Sequence, residues 1–96
     1  MPVHDIIVMG ASAGGVPVLQ ALVHRLPADL PAAVGVVLHI PAQWPSQLPA
    51  ILTRAGPLRA HHAETGEPLV PAQIYVAPPN WHLLLEPGRV ALSQAP

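Results

Sequence analysis

Asp5-Ile6-Ile7-Val8-Met9, followed at once by Gly10-Ala11-Ser12-Ala13-Gly14-Gly15, is the stretch on which the fold of this chain turns. Its β-branched apolar run predicts a short strand, buried on both faces, that stops at Gly10. From Gly14 the spacing changes. Val16, Leu19, Val23 and Leu26 recur three and four residues apart, which is one face of a helix. Pro17 falls in the tolerated first turn and Pro27 ends the helix. Ala33 to Ile40 is a second continuous apolar run. Strand, helix and strand then follow one another at the spacing of a βαβ unit, so the two strands are expected to be parallel.

Working outward, Leu48, Ile51, Leu52 and Ala55 predict a second helix that ends near Gly56-Pro57, and Leu58 to Ala60 a short third strand. Gln73 to Ala77 and Leu83 to Glu86 are short β-prone runs split by Pro78-Pro79-Asn80, and Pro87-Gly88 turns the chain into Arg89 to Leu92. We read this last third as an antiparallel hairpin region. The expected class is α/β, a three-layer doubly wound parallel sheet with an antiparallel β-hairpin region. Only two or three parallel strands are foreseen, which is few for a sheet that needs helices on both faces, so the domain reads as incomplete as given.

Composition narrows the function classes. The 96 residues are 51% hydrophobic and 9% charged, with a formal net charge of -1, so there is no basic field to hold phosphate backbones, and nucleic acid is not an expected partner. The chain has no cysteine, which excludes a disulfide scaffold, a thiolate zinc site and a cysteine nucleophile and suits a reducing cytoplasm. No apolar run approaches the ~20 residues of a membrane helix, and Met1 to Asp5 lack the form of a secretory signal, so no membrane insertion is expected. The 14 prolines punctuate apolar segments rather than dilute a polar chain.

Gly10 to Gly15 lie where a strand passes into a helix and backbone amides converge above the sheet. A dinucleotide fingerprint needs glycine where Ser12 stands, and no P-loop lysine follows, so no cofactor is implied. The same residues satisfy G-x-S-x-G, which exposes a serine hydroxyl on a sharp turn. A bland alternative is that Ser12 only caps the helix. His39 bears on the choice, because parallel neighbouring strands deliver their C-terminal residues to one edge of the sheet. Ser12 and His39 are therefore expected to be neighbours, with Ser12 Oγ about 3 to 5 Å from an imidazole nitrogen, the arrangement of a nucleophile and its general base. The usual α/β-hydrolase order of serine, acid and histidine does not fit, since histidine follows serine within one βαβ unit.

Ile7-Val8-Met9-Gly10-Ala11-Ser12-Ala13-Gly14-Gly15, then Leu38-His39-Ile40-Pro41, then Ile74-Tyr75-Val76-Ala77-Pro78-Pro79-Asn80-Trp81-His82-Leu83-Leu84 resemble successive blocks of the CheB-type chemotaxis protein-glutamate methylesterase catalytic domain. Gly66-Glu67-Pro68-Leu69 also matches, so the resemblance runs along nearly the whole chain. It implies that residues 1–96 are the N-terminal part of that catalytic domain, without a receiver domain, with Ser12 as nucleophile and His39 as catalytic base. The implied substrate is the γ-glutamyl methyl ester of a methyl-accepting chemotaxis receptor in the cytoplasm, with glutamine deamidation as a related acyl transfer. The family's acid is an aspartate of a later Gly-rich segment that has no counterpart before Pro96. Two local departures are Pro45 after Trp44, where the family usually has Thr or Ser, and Asn80, where aspartate is common.

The alternative is a non-catalytic fragment or regulatory module that binds a protein or small anion at the first helix's N-terminus. Of the remaining polar residues, His61 and His62 are adjacent in a strand and point to opposite faces, so they are not a metal pair. His82 reads as a loop-ordering side chain, and His4, His24 and Arg25 as solvated. Asp29, Glu64, Glu67 and Glu86 fall away from the strand ends that carry Ser12 and His39.

Overall fold

The computed structural model describes residues 6–12, 15–39, 47–77, 82–86 and 89–93, with side chains placed over 6–10, 15–37 and 47–77. The opening apolar run becomes β1, Ile6–Ser12, so the strand does not stop at Gly10 as expected but continues to the serine. A Cβ on Gly10 would meet only the Val37 carbonyl oxygen, at 3.8 Å, so no steric demand breaks the strand there. Helix α1, Val16–His24, follows with Gly15 as its N-cap and a proline in its first turn, and β2 runs over Ala33–His39. β1 and β2 pair in parallel from Ile6↔Ala33 through to Ser12↔His39.

Helix α2, Leu48–Ala55, ends at Gly56, and β3 is Arg59–His62, one residue later than the expected strand began. Thr53 Oγ1 accepts the Ala60 N–H at 2.9 Å, tying the last turns of α2 to β3. Gln73–Val76 forms β4, which leaves the expected hairpin region and instead inserts into the main sheet, in parallel between β2 and β3. Its Ile74, Tyr75 and Val76 are all buried, the signature of a strand covered on both faces. The sheet therefore has four parallel strands in the order β1-β2-β4-β3, more than the two or three expected. β5, His82–Glu86, and β6, Arg89–Ser93, pair antiparallel in a separate two-stranded sheet.

Both helices lie on one face. Leu19 and Val23 of α1 and Leu48 and Leu52 of α2 share a core with Val34, Val36, Ile74 and Val76, flanked by Ile7 and Met9. The face opposite is covered by the connection from β3 back to β4. This step reverses direction within the sheet, and a crossover of constant hand must then cross the other face. Ala63 and Leu69 of the connection accordingly pack on Ala33 and Tyr75, with Ile6 at the margin.

Candidate active site

Ser12 and His39 close the two longest parallel strands of the sheet and stand opposite each other in the β1–β2 register. A run of β-branched and small residues takes β1 straight to the serine, and Ala33 to Leu38 do the same for β2. The expected separation of Ser12 Oγ from the imidazole lies outside the residues whose side chains are described. Beyond Ser12, α1 begins with no side chain capping its first turn, so amides there remain available to a ligand oxygen.

The described carboxylates lie elsewhere. Val36, Val76 and His62 share one level of the sheet, and His39 lies three residues, roughly 10 Å, further along β2. Glu67 sits beside β3, two strands from β2, where its Oε2 meets His61 Nε2 at 2.9 Å and its Oε1 accepts the Glu64 N–H at 2.8 Å. Asp29 is exposed in the turn before β2, at the far end of that strand from His39. Glu64 is exposed beyond β3. The side chain of Glu86 lies outside the described residues.

The histidine pair behaves as strand alternation requires. His61 faces Tyr75, with ring centroids 4.9 Å apart in an edge arrangement, while burial and then the neighbouring His61 hold the pKa of His62 below its ordinary value. Tyr75 donates to the Pro68 carbonyl at 3.0 Å and accepts the Val70 N–H at 2.7 Å, and burial pushes its phenol pKa up. His24, expected to be solvated, bonds through Nδ1 to the Ala55 carbonyl at 3.0 Å and bridges the ends of the two helices. No signal in the sequence marks that contact, because the partners are far apart along the chain. Among the described residues there is no group of three or more side chains able to hold a metal, and no helix long and apolar enough to cross a membrane.

The comparisons with known proteins bear on this arrangement along nearly its whole length. The crystal structure of the Thermotoga maritima CheB methylesterase catalytic domain superposes with a TM-score of 0.78 and 33% identity, over 92% of this chain and 48% of that one. A protein-glutamate methylesterase/protein-glutamine glutaminase of Symbiobacterium thermophilum is 38% identical over 92 residues, 95% of this chain and 25% of the relative. A protein of the same description from Myxococcus xanthus is 40% identical over 91 residues, 94% of this chain and 26% of the relative. The chain thus spans about a quarter of the length of these curated relatives. Residues 7–96 match the family described as CheB methylesterase. With the βαβ unit, the serine turn and the histidine strand end all falling inside that match, the chain belongs to the CheB methylesterase family.

Proposed function

We propose that this chain contributes the nucleophile and base of a carboxylic ester hydrolase acting on glutamyl methyl esters of a methyl-accepting chemotaxis receptor in the cytoplasm, with glutamine deamidation as a related reaction. The observation that carries the reading is the register partnership of Ser12 and His39 at the C-terminal ends of neighbouring parallel strands. In this reading His39 takes the proton of the Ser12 hydroxyl as the oxygen attacks the ester carbonyl. Amides at the start of α1 hold the oxyanion, methanol departs with the proton from His39, and water releases the acyl-enzyme.

The names of the relatives supply the substrate class. Residues 1–96 are read as the N-terminal part of the catalytic domain, and the acid that orients His39 belongs to a part of the fold that these residues do not span. The test is hydrolysis of methylated receptor by this chain joined to the half of the Thermotoga maritima domain with which it does not align. Ser12→Ala is expected to lower the rate by about 10⁴-fold or more, with unchanged circular dichroism. Hydrolysis that persists in the folded variant rules out Ser12 as the nucleophile.

A further inference from the structure

The two edges of the parallel sheet differ in kind. β3 is short and carries Arg59, His61 and His62, with the His61–Glu67 pair alongside, which is how a strand edge is kept compatible with water. β1 is seven residues long, Ile6–Ser12, and has no charged residue. Among the described residues it has no strand partner on its outer side. A long, flat, uncharged edge of a parallel sheet is an unstable surface to leave in water.

The side chains around this edge agree. Val8, Gly35, Tyr75 and His61 form one register row across the sheet. Cover fades along that row, from Tyr75 at 1% exposed beneath the crossover to Val8 at 60% on β1. On the other face, α1 turns His24 towards α2 and buries Leu19 and Val23. At 3.6 residues per turn, Val18 and Leu22 then fall on the flank of α1 away from α2, beside the β1 edge, and they are 61% and 45% exposed. Apolar side chains are thus left uncovered on both sides of one unpaired strand.

We infer that this edge, bounded by Val8 on one face and by Val18 and Leu22 on the other, is the docking surface for the half of a CheB catalytic domain that the chain does not span, which adds a strand alongside β1. The inference rests on the reading of the chain as part of a CheB catalytic domain. The argument for this occupant is one of extent: the chain superposes on 48% of a solved catalytic domain, and the uncharged strand at its boundary is the one that ends at Ser12. The added strand would complete the wall of the cleft beside the serine.

The experiment mixes the 96-residue chain with the half of the Thermotoga maritima domain with which it does not align. A one-to-one complex is expected by sedimentation, with amide exchange of Ile6 to Ser12 slowed. Val8→Asp and Leu22→Asp are each expected to weaken the complex about 10-fold or more, since a buried apolar group becomes a charge. Val70→Asp, on the crossover and 45% exposed, is expected to leave it unchanged. Circular dichroism checks that each variant folds. Failure to associate overturns the inference, as does a complex indifferent to both edge variants. Self-association that protects β1 equally well without the added half assigns the edge to a second copy and also overturns it. The hydrolysis reading fails separately: a complex with β1 protected but no Ser12-dependent ester cleavage keeps the interface and loses the esterase, whereas Ser12-dependent cleavage unaffected by Val8→Asp does the reverse.

Discussion

At Gly56 the side chain is absent because there is no room for one. A Cβ built there would lie 2.5 Å from the Val23 carbonyl oxygen and 3.0 Å from its carbon, where the end of α1 crosses the end of α2. Backbone on both sides leaves nothing flexible to yield, so Gly56→Ala is expected to destabilise the fold by about 1–3 kcal/mol or more, read from urea unfolding. From the sequence, Gly56-Pro57 announces a helix end; that the glycine also admits a second helix is tertiary information. His62 is a second residue with a measurable consequence. Its pKa is held down, so the native state prefers the neutral ring. The unfolded chain therefore binds more protons between the lowered value and the ordinary 6.5. Its contribution to stability is fully present above pH 6.5 and is lost as the pH falls through the folded-state value. His62→Gln is expected to flatten that acid-side slope in denaturation curves recorded across the range.

Among the elements, the crossover from β3 to β4 is held by few groups, and each is identifiable. Tyr75, 1% exposed, accepts from Val70 and donates to Pro68, so Tyr75→Phe strips a partner from two backbone groups of one connection. A loss of about 1–3 kcal/mol is expected, with faster amide exchange in residues 63–72 than in β1 or β2; equal exchange in both variants would show that the apolar packing of Leu69 and Ala63 holds the crossover unaided. The helices were legible because each carries its own period, its proline in the first turn and its stop. β1 and β2 were legible as uninterrupted apolar runs, to within a few residues. β4 was misassigned to the hairpin region because local signals group it with the turn at Pro78-Pro79-Asn80, whereas its neighbours in the sheet are β2 and β3, distant along the chain. Strand order is a matter of long-range pairing, which a run of four residues does not encode.

The whole molecule is a sheet with its helices on one face, and its principal extents of 38 × 29 × 16 Å are those of a slab. Roughly 16 Å accommodates a sheet and one helix layer of about 10–12 Å diameter, with no space for a second. On its own the chain is therefore expected to unfold at low urea concentration or to self-associate through the β1 edge, and Val8→Lys is expected to shift sedimentation towards the monomer. A compact wild-type monomer with a cooperative transition would contradict this. Hydrolysis by the chain alone is expected to be about 10⁴-fold below that of a complete triad, because nothing described orients His39. The amino-acid sequence determined by itself the βαβ unit, the family, and the placing of Ser12 and His39 at strand ends, since all of these follow from local periodicity and from motifs carried in contiguous residues. Only the tertiary structure decided that β4 lies inside the sheet, that Glu67 is engaged with His61, and that β1 is left as an uncharged edge. Those depend on which distant segments pack together, a choice made by burial over the whole chain and not by any stretch of it.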